Sequence, residues 1–291
     1  MSDSSVPVSQ DITAIMPFLT LGDGNEMFYK NWGVPTGPAV VFSHGWPLSA
    51  DNWDNQMSFL GNKGYHVIAH DRRGHGRSGQ SWDGNDMDTY ADDLLELFVH
   101  LKVKNATLVG HSTGGGEVAR FVGRHGTERV AKAALVSAIT PVLGQSESNP
   151  DGVPLEVFDN FRSLMSLNRA QFFLEVAKGP FFGFNRPGAN VSQGLIDSWW
   201  LQGMLGGFKS SYDSVKALSE TDFSEDLKKM DIPVLVIHGD DDQIVPVNNS
   251  HKAVELLPKG QLKVYPGASH ALPDLAIDQL NRDLLEFIQS N

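Results

Sequence analysis

Residues 105–122, NATLVGHSTGGGEVARFV, place the pattern Gly-His-Ser-Thr-Gly, centred on Ser112, between an apolar run and an amphipathic run. The apolar run is typical of a buried strand and the amphipathic run of a helix. A serine on such a sharp turn takes a strained backbone conformation that exposes its hydroxyl, and the flanking Gly110 and Gly114 avoid a collision. The helix that follows directs free N–H groups towards a developing oxyanion. The stretch therefore predicts that Ser112 is a nucleophile.

Two other interpretations of this glycine-rich stretch compete with a nucleophile. The first is a plain strand-to-helix turn with an incidental serine, but the strand before it and the helix after it favour the functional interpretation. The second is a phosphate-binding loop. It is excluded because no Lys-Ser or Lys-Thr pair follows the glycines.

Apolar and amphipathic runs alternate on both sides of this turn. Residues 18–33 predict two short strands around a Gly-Asp-Gly-Asn turn, and Ser49 is a candidate N-cap for a helix over residues 49–60. The same patterns predict further buried strands at 38–45, 65–71, 131–138, 232–239 and 261–267, and further helices at 88–101, 251–257 and 278–288. This alternation predicts an α/β fold with a mostly parallel central sheet flanked by helices.

The alternation stops between about Ile139 and Phe223. There the chain has no clear strand and is rich in Phe, Trp, Met, Gly and Pro. We interpret this segment as a helical insertion that lies over one end of the sheet. The sequence therefore predicts a core domain of residues 1–138 and 224–291, with a helical cap of residues 139–223.

The composition excludes several classes of function. The 291 residues carry a formal net charge of −12, which argues against nucleic acid or an anionic membrane as a partner. The chain has no cysteine, so disulfides, thiolate metal sites and cysteine nucleophiles are excluded. No histidine pair has the spacing of a metal site, so we expect no metal. Residues 1–11 lack the features of a signal peptide, and we expect a cytoplasmic protein without a membrane span.

A serine nucleophile needs a histidine to remove its proton and a carboxylate to orient that histidine. In the predicted fold the acid and then the histidine follow the serine, on loops after late strands. The loop after residues 261–267 contains His270, which we predict as the base. The other histidines lie at strand ends before glycine, beside the serine, in a helix, or upstream of the expected region: His44, His66, His70, His75, His100, His111, His125, His238 and His251.

Three consecutive aspartates follow the predicted strand at 232–239, so the acid is harder to assign than the base. Asp242 directly precedes the turn Gln-Ile-Val-Pro, and we predict that it reaches His270. Asp240 is expected to bond the backbone of its own loop, and Asp241 is expected to be solvated.

The predicted strand at 38–45 ends in His-Gly before Trp46 and Pro47, where the backbone turns close to a substrate. We predict that the N–H groups of Trp46 and Thr113 are the donors to the oxyanion. The alternative is an ordinary strand-to-loop turn. The position of this turn before a helix and ahead of the nucleophile favours the functional interpretation.

Residues 71–79, DRRGHGRSG, contain a Gly-x-Gly-x-x-Gly pattern after a strand, as dinucleotide-binding sites do. We reject that interpretation, because no helix starts at these glycines and the strand is not the first of a β-α-β unit. We expect a tight structural loop in which Asp71 and Arg73 pair with each other.

With these residues assigned, the chain from about Phe18 to Ile288 resembles the α/β-hydrolase superfamily. Within it, the chain is most similar to the cofactor-free haloperoxidases, or perhydrolases, and to bacterial aryl esterases. The segments that carry the resemblance are FSHGWPL, AHDRRGHGRS, GHSTGGGEVAR, SETDFSEDLKK, VIHGDDDQIVP and LKVYPGASH. The resemblance implies the triad Ser112, Asp242 and His270, with no haem, metal or other cofactor. One departure is Ala271, where the group usually has glycine.

The same resemblance implies that a carboxylic acid or ester acylates the serine and that water or hydrogen peroxide attacks the acyl-enzyme. Peroxide then yields a peracid, which oxidises bromide or chloride in solution. Pro47 after Trp46 resembles the members better suited to peroxide. Such enzymes are commonly homo-oligomers, so we expect a dimer or trimer.

Two alternatives to an ester hydrolase remain open at the level of the sequence. An amidase or lactamase uses the same triad, whereas a non-catalytic binding protein of this fold is expected to lack a triad or oxyanion element. An apolar acyl pocket is also expected, although its aromatic residues fit the core of the cap equally well. The residues assigned to that pocket are Trp46, Pro47, Phe158, Phe172, Ile244 and Val245.

Overall fold

The computed structural model describes residues 17–290, and the polar leader over residues 1–16 lies outside this part. Eight strands form one sheet in the order β1-β2-β4-β3-β5-β6-β7-β8. Strands β1, β2 and β4 pair antiparallel, whereas the strands from β4 to β8 pair in parallel, which confirms the mostly parallel sheet. The strands are β1 Phe18–Thr20, β2 Glu26–Gly33, β3 Ala39–Ser43, β4 His66–His70, β5 Ala106–His111, β6 Val130–Val136, β7 Val234–Gly239 and β8 Gly260–Tyr265.

Helices follow the strands along the chain. Ser49 caps a short 3₁₀ turn, Ala50–Trp53, by accepting the N–H of Asp51, in agreement with the predicted N-cap. No helix in residues 17–290 is long and apolar enough to cross a bilayer. The helices are α1 Asp54–Gly61, α2 Met87–His100, α3 Thr113–His125, α4 Leu155–Val176, α5 Gln193–Leu205, α6 Phe208–Glu220, α7 Ser224–Lys229, α8 Asn248–Leu256, α9 Leu272–Leu275 and α10 Ile277–Gln289.

The parallel strands bury both of their faces, which explains why they are apolar runs rather than alternating ones. On one face Val41 packs in a layer with Leu94 of α2. On the other face Phe42 packs in a layer with Trp53 and with Leu284 of α10. The two layers hold the parallel strands rigidly, so the loops at their carboxyl ends have fixed positions.

The segment between β6 and β7 contains α4, a π-helical turn at Ala177–Phe181, α5 and α6, followed by α7 just before β7. Side chains of the loop after β3 join it to the core. Nε1 of Trp46 donates to the carbonyl of Ser211 (3.1 Å), and Oγ of Ser49 donates to Gln202 (3.0 Å). These helices therefore cover the carboxyl ends of the central strands.

The loop at residues 71–79 forms different ion pairs from the expected one. Asp71 binds Nε of Arg77 (2.8 Å), and Arg73 binds Asp93 and Asp23 (2.6 Å each). The expectation that Asp71 and Arg73 pair with each other was therefore wrong. The loop folds back and brings Arg77 onto Asp71, while the side chain of Arg73 extends to Asp93 on α2.

Candidate active site

Ser112 lies between β5 and α3 with φ 54° and ψ −119°. A positive φ is strained for a serine, and such strain persists only where the surroundings enforce it. A Cβ at Gly110 would lie 2.2 Å from the carbonyl oxygen of Gly114, and one at Gly114 would lie 2.2 Å from that of Ser43. The close approach of three backbone segments therefore requires both glycines and holds the serine in its turn.

His270 and Asp242 are brought together from the loops after β8 and β7. Nδ1 of His270 lies 2.7 Å from Oδ2 of Asp242, and the two side chains are 2% and 0% exposed. Oδ1 of Asp242 accepts the backbone N–H groups of Ile244 (2.8 Å) and Val245 (2.9 Å). The carboxylate is thus fixed, and a neutral imidazole that donates from Nδ1 has Nε2 free to accept a proton.

A second histidine contacts the same carboxylate. Nε2 of His238 lies 3.2 Å from Oδ2 of Asp242, while its Nδ1 forms a hydrogen bond with Oγ of Ser250 (2.6 Å). Burial alone would raise the pKa of Asp242, but the charge of His270 and the hydrogen bonds from both histidines hold that pKa well below its ordinary value. Asp242 is therefore ionised at neutral pH.

The two neighbouring aspartates do not contact His270. Oδ1 of Asp240 accepts the N–H of Gly267 (2.6 Å), which belongs to the neighbouring loop and not to its own, contrary to our expectation. The side chain of Asp241 is half exposed and pairs with Arg186 (2.7 Å). Asp240 thus joins the loop after β7 to the loop after β8, whereas the contact of Asp241 comes from the segment between β6 and β7.

His111 packs against the ring of His270, with the two ring centres 4.9 Å apart. Its Nε2 donates to the carbonyl of His270 (2.9 Å). Burial, assisted by the nearby His270, lowers the pKa of His111 to about 3, so His111 is neutral. A neutral ring at this place supports His270 without repelling its imidazolium form.

Trp46 and Thr113 line the same cavity as Ser112. Within residues 17–290, neither the backbone N–H of Trp46 nor that of Thr113 donates to a backbone or side-chain acceptor. Thr113 is the first residue of α3, whose initial N–H groups have no partner inside the helix. The arrangement thus leaves two free donors beside the serine.

Gly45 allows the Trp46 loop to approach Ser112 closely, because a Cβ there would lie 2.9 Å from Nδ1 of His111 and 3.2 Å from Cβ of Ser112. We expect Gly45→Ala to displace the Trp46 N–H and to lower kcat about 10²-fold, the size of effect seen when one oxyanion donor is lost. Steady-state hydrolysis of an aryl acetate measures this change in kcat. Gly194→Ala on α5, where a methyl group meets no atom within 4 Å, is the matched control. Wild-type kcat in Gly45→Ala would contradict the prediction.

The cavity at Ser112 has a volume of about 330 Å³. Four of the predicted pocket residues line it, namely Trp46, Phe158, Ile244 and Val245. Pro47 and Phe172 do not, which corrects the expectation. The lining also includes residues that the sequence did not single out: Ile139, Leu143, Val153, Val157, Phe161, Val176, Pro180, Phe181, Trp199, Leu218, Gln243 and Pro246.

Packing explains the two exceptions. Pro47 turns towards α5, where it contacts Gly203. The ring of Phe172 on α4 packs against the rings of Phe161 and Phe173, at 5.2 and 5.8 Å between centres, behind the cavity wall. An apolar run in a helix predicts burial, but it does not distinguish the wall of a cavity from the core behind it.

A buried ionic cluster, composed of Ser43, His70, Arg72 and Glu117, lies beneath the site. The carboxylate of Glu117 on α3 accepts hydrogen bonds from Nε2 of His70 (2.8 Å), Nε of Arg72 (2.8 Å) and Oγ of Ser43. Nη2 of Arg72 also donates to the carbonyl of His44 (2.6 Å). The cluster therefore joins the nucleophile helix to the loop that carries Trp46.

The fold and the strained serine turn together define an α/β hydrolase. A family model described as alpha/beta hydrolase fold matches residues 38–276, and the chain belongs to that family. It is 56% identical to the non-heme haloperoxidase of Rhodococcus erythropolis and 52% identical to a bifunctional esterase/perhydrolase of Acinetobacter calcoaceticus, in each case over 94% of this chain and 100% of the relative. A bromoperoxidase structure from Bacillus anthracis superposes with a TM-score of 0.87 at 37% identity, over 91% of this chain and 96% of the other.

Proposed function

We propose that the protein is a serine-dependent carboxylic-ester hydrolase with perhydrolase activity and that Ser112, Asp242 and His270 are its triad. The observation that carries the proposal is a strained serine and a buried histidine–aspartate pair that open on one apolar cavity. The relatives named haloperoxidase and esterase/perhydrolase support the choice of reaction.

In the proposed reaction, Nε2 of His270 takes the proton of Ser112 as Oγ attacks the ester carbonyl carbon. The N–H groups of Trp46 and Thr113 hold the oxyanion. The C–O bond then breaks, and the alcohol leaves with the proton from His270. Water or hydrogen peroxide next gives a proton to His270 and attacks the acyl-serine, which releases a carboxylic acid or a peracid and restores the serine. The peracid oxidises bromide or chloride in solution.

The proposal extends to the organisation of the molecule. Of the described residues, 17–138 and 224–290 form the core domain that supplies the triad, and residues 139–223 form the cap. A homo-oligomer, dimer or trimer, and a cytoplasmic location are part of the same proposal. Sedimentation of the purified protein tests the assembly.

A paired assay tests the proposed function. One sample of the protein receives an aryl acetate, and a second receives acetate with hydrogen peroxide and bromide. A third sample is treated with a phosphonate that reacts with nucleophilic serines. We expect release of the phenol, bromination of an acceptor dye, and a mass increase on the peptide that contains Ser112. Phosphonate that leaves Ser112 unmodified would overturn the mechanism, and cleavage of an aryl amide in preference to the ester would favour an amidase.

Pro47 is expected to favour peroxide over water, because its fixed φ positions the backbone beside Trp46. We predict that Pro47→Leu lowers the ratio of perhydrolysis to hydrolysis several-fold while ester hydrolysis persists. The two rates are measured on the same acyl group. Pro35→Leu, at an exposed position between β2 and β3, is the matched control. An unchanged ratio in Pro47→Leu would contradict the prediction.

A further inference from the structure

Arg186, in the segment between the π-helical turn and α5, reaches both loops that carry the acid and the base. Its Nη2 donates to the carbonyl of Asp241 (2.6 Å) and its Nη1 to the carbonyl of Gly267 (3.1 Å). Its Nε lies 2.7 Å from Oδ2 of Asp241. Asp241 directly precedes Asp242, and Gly267 lies three residues before His270. One guanidinium group therefore joins the two loops.

The local backbone is arranged around this guanidinium group. Gly183 has a φ of +70°, and a Cβ there would lie 2.6 Å from Cζ of Arg186, so only glycine leaves room for the side chain to fold back. Beside it, the amides of Asn185 and Gln243 donate to each other, at 2.9 and 3.2 Å. Asn185 thus adds a second contact between this segment and the loop of Asp242.

These contacts differ from those of an ordinary surface arginine, whose exposed ion pairs contribute little to stability. The side chain of Arg186 is only 26% exposed, and two of its acceptors are backbone carbonyls, which do not leave with a rotating side chain. The planar fork of a guanidinium group can serve two carbonyls at once, whereas a lysine ammonium has no such fixed geometry. Proton transfer is sensitive to sub-ångström displacement of the groups involved.

We propose that Arg186 is a positioning residue, which acts through the backbone of Asp241 and Gly267 to hold Asp242 against His270. This inference rests on the proposed function, because it assigns Arg186 a role in that reaction. Arg186 does not line the cavity at Ser112, so it influences the base and not the fit of the acyl group.

The test uses the full-length protein and an aryl acetate. We expect Arg186→Gln to lower kcat about ten-fold, within the range expected for displaced catalytic groups, and to leave KM within about two-fold. Arg162→Gln is the matched control, because Arg162 pairs with Asp159 on its own helix, and it should keep the wild-type kcat. Millimolar guanidinium is expected to restore part of the activity of Arg186→Gly and to leave the activity of Arg162→Gly unchanged.

A double-mutant comparison separates positioning from a merely structural role. If Arg186 acts through Asp242, Arg186→Gln should change kcat less than two-fold in the Asp242→Asn background. A full ten-fold loss in that background would overturn the inference, as would wild-type kcat in Arg186→Gln. If Arg186→Gln does not fold, Arg186→Lys keeps the charge without the fork, and wild-type activity in that variant contradicts the inference equally. Inactive wild-type protein would instead contradict the proposed function.

Discussion

We expect replacement of Asp242 by asparagine to lower kcat for an aryl acetate by about 10⁴-fold, because the proposed triad then loses its carboxylate. Asparagine retains an oxygen for the N–H groups of Ile244 and Val245, so the loop keeps its shape. It offers an amide where Nδ1 of His270 needs a carboxylate, and the histidine then adopts the wrong tautomer. KM should change little, because the side chain of Asp242 is 0% exposed and so offers a substrate little contact.

The neighbouring aspartate provides the control. Asp241→Asn should keep kcat within about five-fold of wild type, since its backbone carbonyl still accepts the hydrogen bond from Arg186. Both variants are checked for wild-type circular dichroism before the kinetics. A larger loss in Asp241→Asn than in Asp242→Asn would show that the acid has been assigned to the wrong residue.

The second large effect concerns stability. Replacement of Glu117 by glutamine leaves Arg72 buried without a counter-charge, in a cluster whose members are 0% and 1% exposed. Removal of one partner from a buried ion pair costs about 3–5 kcal/mol. The side chains are nearly equal in volume, so the loss reflects charge and not a cavity. For a chain of this size we expect Tm to fall by roughly 10 °C.

Urea unfolding of wild type and Glu117→Gln measures the loss in the free energy of unfolding. The control is Glu225→Gln, because Glu225 is exposed and pairs with Lys228 across a single turn of α7 (2.7 Å). That pair should contribute no more than about 1 kcal/mol. A decrease of less than 1 kcal/mol in the unfolding free energy of Glu117→Gln would contradict a stabilising role for the Glu117 carboxylate.

The pH dependence of stability gives an independent check on Glu117. Burial alone would raise the pKa of Glu117, but the charges of Arg72 and His70 and the hydrogen bonds from His70 and Ser43 lower that pKa to about 2 from the ordinary 4.5. The stabilisation is therefore complete above pH 4.5 and is lost as the pH falls towards 2. The difference in unfolding free energy between wild type and Glu117→Gln should narrow over that range.

Local patterns carry enough information for the fold and for the candidate nucleophile and base. The period of the apolar residues distinguishes strands from helices, and their alternation defines the sheet. Ser112 follows from a motif with a short-range steric cause, and His270 from the order of loops along the chain. These features depend on neighbours in the sequence, so they are accessible without a structure.

Contacts between distant segments are not accessible in this way. The hydrogen bond between His238 and Ser250 of α8 joins residues 12 positions apart, and that between Glu117 and Arg72 joins residues 45 positions apart. The pairing assumed for Asp71 and Arg73 failed because proximity in sequence was taken for proximity in space. Arg186 belongs to no local pattern, so its contacts required the three-dimensional arrangement.

The cavity wall and the reactive groups come from different parts of the chain, and this separation affects how the protein could acquire new substrates. More than half of the lining residues belong to the segment between β6 and β7, while Ser112, Asp242 and His270 lie outside it. Substitutions in that segment can reshape acyl selectivity without altering the reactive groups. Substitutions are constrained where the segment is bonded to the core, and Ser211, Gln202 and Arg186 are among these points. A chimaera that keeps these three residues should inherit its donor's substrates and its recipient's chemistry.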